Sequence, residues 1–362
     1  MPFVLALLSL LVGQLPAAAA ARFEIYPLAE GLRGGYQVVL ADLNRDGRLD
    51  IIALATGMSE LVWFENTGDP GRWPRHVLID GQQRLINCAA HDTDGDGIPE
   101  IVVASMFDNQ PKNSVGGVSL LRSGPDPRQP WRATEIDRLT TSHRIRWVDI
   151  DGSGRKVVVN APLAGFGAEA PDYQAAVPLV FYRPGEWKRE LITTANRGVV
   201  HGLSIDGHSI LTASFLGIHR HRWRRGAWQR EELTKGDPAP WPRCGASDVA
   251  AGPGFLVAIE PWHGEKLVLY RRGRRTVIDA TLDQGHTIQV LDRRTVVVGH
   301  RGPKGGVNLY HRQGQRWIRQ VLDEGLKANS CELGDLDGDR RADIVCIGGS
   351  TANLRWYRAL PD

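Results

Sequence analysis

The sequence predicts an all-β chain folded as a seven-bladed β-propeller of four-stranded blades, closed by its own N-terminal strand. Three observations carry this reading. Internal repetition runs at a period of roughly forty to sixty residues, the range of propeller blades. Three kinds of β-rich segment recur in the same order along the chain. The outer strand lacking at the end of the chain is present at its start.

The first kind of segment is an apolar strand running into an aspartate turn: Val38 to Asp42, Cys88 to Asp92, Ile145 to Asp149, Ile288 to Asp292 and Cys331 to Asp335, with degenerate copies at Leu203 to Ile205 and Asp248 to Ala250. Each copy is followed by a second β-branched strand such as Ile51 to Leu54 or Val296 to Gly299. The second kind has an aromatic residue or leucine near its centre, as in Val62-Trp63-Phe64-Glu65, Val268-Leu269-Tyr270-Arg271 and Arg355-Trp356-Tyr357-Arg358. The third kind follows a Gly/Pro turn, as in Trp73 to Leu78 and Trp317 to Leu322, and its seventh copy is missing. Phe23 to Leu28 has the required pattern, so the N-terminal strand is expected to complete the last blade and leave no open edge.

Residues 1–20 form an apolar leader ending in Ala18-x-Ala20. Its core is too short for a membrane helix and its small residues suit signal peptidase, so the leader predicts a signal peptide and a mature propeller domain over 21–362, secreted or periplasmic. No other stretch is long and apolar enough to span a membrane. The net charge of +3 over 362 residues, with Lys and Arg scattered, argues against nucleic acid as a partner. The basic run Arg220 to Arg225 reads as a solvated hairpin tip. Cys88, Cys244, Cys331 and Cys346 are too few for a disulfide framework in a chain of this length, and free thiols are expected.

Three aspartate turns place oxygens at positions 1, 3, 5 and 9: Asp42, Asn44, Asp46 and Asp50; Asp92, Asp94, Asp96 and Glu100; Asp335, Asp337, Asp339 and Asp343. That spacing wraps a loop around a hard cation and predicts structural Ca²⁺. Asp149, Asp151 and Ser153 begin a fourth copy, which Val157 ends without a ligand. These turns resemble the FG-GAP and VCBS repeats of integrin-like and bacterial secreted propellers, in which the cation is structural.

Counting back six residues from the first turn position reaches the residue at the opposite mouth of each blade: Tyr36, Ile86, His143, His201, Ala246, His286 and Asn329. Three imidazoles from three blades at one register predict a Zn²⁺ site with an open coordination position at His143, His201 and His286. The loop after each second strand returns to this face, bringing Glu260 and His263 from blade five and Arg301 from blade six.

Thr141-Ser142-His143-Arg144-Ile145-Arg146-Trp147, Leu211 to Phe215, Glu260-Pro261-Trp262-His263-Gly264 and Asp283-Gln284-Gly285-His286 together resemble the propeller of aldos-2-ulose dehydratase and its bacterial relatives. The resemblance implies a zinc-dependent hydro-lyase that dehydrates 1,5-anhydrofructose or a similar 2-keto sugar. The residues suit such chemistry: Glu260 or His263 as base or acid, and Arg301 as the group that orients the sugar. Two alternatives stay open. One is a non-catalytic propeller that binds glycans or proteins and needs only Ca²⁺. The other is a polysaccharide lyase, which would need a longer and more basic cleft.

Overall fold

The computed structural model describes residues 21–361; the leader lies outside them. Seven four-stranded antiparallel sheets follow one another around a ring, six made of consecutive strands and the seventh of three C-terminal strands plus Phe23–Ala29. The innermost strands are Gly35–Ala41, Asn87–His91, Ser142–Val148, Val200–Asp206, Asp248–Gly252, Gly285–Val290 and Ala328–Gly334. Among the described residues no helix is long and apolar enough to cross a membrane.

The second strand of most blades, for example Asp50–Ala55 and Asp343–Gly348, is buried along its whole length. Such strands are packed on both faces by neighbouring blades, which is why they read as continuous apolar runs rather than as alternating ones. The third strand shows how one run serves two interfaces. Leu61 and Trp63 join the core shared with blade two, whereas Val62 and Phe64 pack with Val345, Ile347 and Trp356 of blade seven. Alternation along a strand thus sends successive side chains to opposite neighbours, and each fully buried Val, Leu or Phe contributes about 1.5–3 kcal/mol. The outer strands, such as Ala227–Thr234, are largely exposed.

The ring closes as the sequence predicts. Phe23–Ala29 pairs antiparallel with Leu354–Ala359, with Tyr26 opposite Trp356 and their rings stacked at 4.9 Å. The junction extends beyond the strands: the Arg22 guanidinium donates to the Pro361 carbonyl at 2.7 Å, and the Leu360 N–H donates to the Arg22 carbonyl at 2.9 Å.

One expectation is overturned. Cys331 and Cys346 form a disulfide, leaving Cys88 and Cys244 free. The two cysteines face each other directly in the register of blade seven, with Cα atoms 4.1 Å apart. Such close approach belongs to the non-hydrogen-bonded pairs of an antiparallel ladder, where side chains are nearest.

Candidate functional site

The innermost strands position the site through a repeated irregularity. In five blades the register slips by one residue at the start of this strand, and the unpaired residue is Tyr36, His143, His201, His286 or Asn329. A bulge re-aims the side chain of its extra residue, so the mouth positions read from the sequence are bulge positions. Blades two and five, with Ile86 and Ala246 at that register, pair without a slip. Gly34, Arg84, Thr141 and Gln284, each two residues before a mouth residue, hold φ between 48° and 67°, the left-handed turn that feeds the chain into the strand.

The bulges bring imidazoles together. His201, His263 and His286 can offer ring nitrogens that all lie within 4.8 Å of one another. His263 comes from the loop after the second strand of blade five and itself has φ of 48°, a sparsely populated conformation for a non-glycine residue. His143 sits beside this group, its ring centroid 5.1 Å from that of His201, but its Nε2 faces the Tyr36 hydroxyl at 2.7 Å. The tightest trio therefore differs from the one read in the sequence, with His263 in place of His143.

The tautomers follow from the partners. His201 Nδ1 lies 3.1 Å from the Ser247 carbonyl oxygen and His286 Nδ1 lies 2.6 Å from that of Asn329. A carbonyl only accepts, so both Nδ1 atoms carry the hydrogen and both Nε2 atoms keep a lone pair. Arg301 donates to His263 Nδ1 at 3.1 Å, which leaves the His263 hydrogen on Nε2, pointing at His201 Nε2 3.2 Å away. His286 Nε2 is buried with no partner among the described residues. Carbonyl-anchored imidazoles with inward lone pairs are the arrangement usual for metal-ligating histidines.

Electrostatics keep this cluster neutral. Burial, followed by the charge of Arg144, holds His143 and His201 well below the ordinary histidine range. Burial and then Arg301 do the same for His263 and His286. Burial also lowers Arg301. Arg144 anchors the wall, donating through Nε to the His201 carbonyl at 3.0 Å and lying over the Tyr36 ring at 5.4 Å. A cleft of about 530 Å³ opens here, lined by Tyr36, Phe107, Arg301 and Asn329 among others. A second cavity of about 290 Å³ is lined by His286 together with Arg144, Arg146, Asp248 and Glu332; burial raises Asp248 to about 6.

Glu260 requires a correction. Its carboxylate is fully buried and is held by the Tyr270 hydroxyl and by Arg275, whose Nε and Nη2 donate at 3.0 and 2.7 Å. It points along its own blade to the outer strands, away from the imidazoles, and is not placed to exchange a proton with anything in the cleft. Tyr36 is the cleft residue that the sequence singled out only by register; a phenol in a column of histidines was the available signal.

At the other face, the aspartate turns satisfy themselves. Asp42 accepts from the N–H groups of Asp46 and Gly47 at 3.1 and 2.8 Å, and Asp92 and Asp335 repeat this role. The ninth-position carboxylates are buried: Asp50 accepts from Leu43 and Asn66, Asp343 from Leu336 and Ala359, and Glu100 from Thr93. Asp92, Asp94 and Asp96 cluster closely enough to hold a cation, as do Asp335, Asp337 and Asp343. In the first turn Asp46 pairs with Arg48 and accepts from the Asn44 amide, and in the third Asp339 pairs with Arg341.

Residues 42–103, which contain the first two turns, match the family model of the FG-GAP-like repeat. No curated protein matches the sequence. Among solved structures, the WD40 β-propeller domain of Doa1 superposes with a TM-score of 0.60 at 12% identity, covering 93% of this chain and 96% of that one. At that identity the likeness speaks for the fold alone.

Proposed function

We propose that the bulge end of the axis is a metal-dependent hydro-lyase site that removes water from a 2-keto sugar such as 1,5-anhydrofructose. The observation that carries this reading is the buried, unpartnered Nε2 of His286 in a cluster with His201 and His263. Leaving such an atom unsatisfied costs about 1–3 kcal/mol, and a Zn²⁺ ion would satisfy it together with His201 Nε2. The third ligand would be His263, after transfer of its hydrogen to Nδ1 and release of Arg301, or a rotated His143.

When bound, the ion supplies polarisation of the ketone oxygen, which acidifies the adjacent C–H. The protein's own groups do the rest. Arg301, released toward the cleft, orients the sugar. The Tyr36 hydroxyl and His143 Nε2, hydrogen-bonded at 2.7 Å, hold a proton at the cleft wall, where it can be exchanged with the carbon acid or given to the departing hydroxyl. A cleft of about 530 Å³ lies within the size range of small-molecule sites and has room for a sugar ring. Structural Ca²⁺ is proposed for the second and third aspartate turns on the strength of their clustered carboxylates. Export is proposed from the apolar leader together with the Cys331–Cys346 disulfide, a bond that persists in oxidising compartments.

Metal analysis of the purified protein, with absorbance detection of the unsaturated ketone formed from 1,5-anhydrofructose, tests the proposal. His201→Ala and His286→Ala are expected to lose most of the transition metal and at least about a hundredfold in rate. Tyr36→Phe is expected to keep the metal and lose rate about a hundredfold. A folded protein that carries calcium but no transition metal, and binds sugars unchanged after both histidine replacements, would establish the binding-module reading instead.

A further inference from the structure

We propose that the groove between blades five and six binds an acidic polysaccharide through its sulfate or carboxylate groups, at a site separate from the axial cleft. The groove encloses about 770 Å³ and is lined by Arg271, Arg272, Arg274, Arg293 and Arg312 over a floor containing Phe255 and Trp317. No carboxylate lines it. Among the described residues none of these guanidiniums takes part in a salt bridge, although the chain's net charge is only +3.

A second basic hairpin in the same molecule shows what ordinary solvation of such residues looks like. In blade four, Arg220 pairs with Asp206 and Glu231, and Arg222 pairs with Glu231, so two of that hairpin's arginines have carboxylate partners. The blade-five hairpin does the reverse. Arg271 and Arg274 are directly opposed in the ladder, with Arg272 at the turn between them. Like charges facing each other across a strand pair destabilise it, and an anion placed between the guanidiniums would relieve that repulsion. Guanidinium forks bind carboxylate and sulfate groups in bidentate fashion.

Repeated anionic groups on a chain suit several arginines spread across two blades better than a single small anion does. The aromatic floor favours sugar over single-stranded nucleic acid. Phe255 and Trp317 are half-buried and meet edge to face, with centroids 6.4 Å apart. They offer apolar area to a sugar face, but not the successive open rings on which unpaired bases stack.

The test is titration of the full chain, at low salt and again at a series of higher salt concentrations, with a heparin oligosaccharide, a polygalacturonate oligosaccharide and a single-stranded DNA of equal length. The first two probes separate sulfate from carboxylate recognition. Saturable binding of at least one glycan is expected, weakened tenfold or more in the triple variant Arg271→Gln/Arg274→Gln/Arg312→Gln with a shallower salt dependence, and unchanged in Arg220→Gln/Arg222→Gln. The triple variant should melt no lower than the parent. Should it fail to fold, modification of the parent by an arginine reagent, with and without glycan, reads the same site: protection confined to Arg271, Arg272, Arg274, Arg293 and Arg312 supports it, and protection only elsewhere overturns it. Absence of binding to both glycans, equal loss in the blade-four control, or tighter binding of the DNA would also overturn the proposal.

Discussion

The two ends of the innermost strands are built from the same seven segments and treat their polar atoms in opposite ways. At the turn end, Asp42, Asp50 and Asp343 spend their oxygens on backbone N–H groups within a few residues or on the next strand of the same blade. At the bulge end, His286 Nε2 and His143 Nδ1 are buried without a partner, and the imidazoles reach across to other blades. The turn end is self-satisfied wherever the full aspartate pattern occurs, in blades one, two and seven. The bulge end varies from blade to blade, and side chains that contribute little to folding are the ones free to carry chemistry.

Removal of residues 22–28 breaks both ends at once and is the largest effect expected. It strips the outer strand from blade seven and exposes the edge of Leu354–Ala359, and soluble yield should fall to nothing; a monomeric, well-melting deletion protein would show that closure is dispensable. A smaller change separates the ends. Asp50→Ala orphans the N–H groups of Leu43 and Asn66, both bonded at 2.8 Å, and should cost about 2–4 kcal/mol in denaturant unfolding of calcium-free protein. His286→Ala removes the unpartnered Nε2 and one bond, from Nδ1 to the Asn329 carbonyl, against the two bonds that Asp50→Ala breaks, and should cost less, so similar losses from the two variants would erase the distinction.

An effect of similar size is expected in pH dependence. In blade four, burial lowers His219 to about 4 and His221 to about 3. The unfolded chain binds protons on these residues below about 6.5, where the folded chain does not, so their contribution to stability is intact above that pH and is lost as pH falls toward 3–4. Buried turn carboxylates oppose this: Asp50, raised to about 7 by burial, contributes stability at low pH that is lost as pH rises toward 7. Between pH 7.5 and 5, His219→Gln/His221→Gln is therefore expected to lose less stability than the parent, by about 2 kcal/mol for each histidine. Identical losses in parent and variant would mean that these rings titrate normally.

Much of the ring was legible because the sequence pattern is periodic. Strand kinds, turn positions and the vacancy filled by Phe23–Ala29 all follow from counting. Counting also reached His143, His201 and His286, although not the reason: a register slip in each of those blades, which no residue type announces. What counting misses is direction. Glu260 and His263 are three positions apart and were assigned to one face, yet the end of a strand sends Glu260 to Arg275 while the following loop turns His263 inward. The disulfide escaped because the expectation of free thiols rested on the number of cysteines in the chain, whereas Cys331 and Cys346 are directly opposed in the ladder.

The junction in blade seven carries a topological consequence. Residue 22 and residues 360–361 are hydrogen-bonded to each other, so the two ends of the described chain emerge side by side at one point on the rim. A short peptide linking them would leave every blade intact, and the ring could then be cut at any exposed loop between blades to give new termini. The order in which the blades leave the ribosome is thus separable from the order in which they stand around the axis. A protein module fused at either end would project from the same blade.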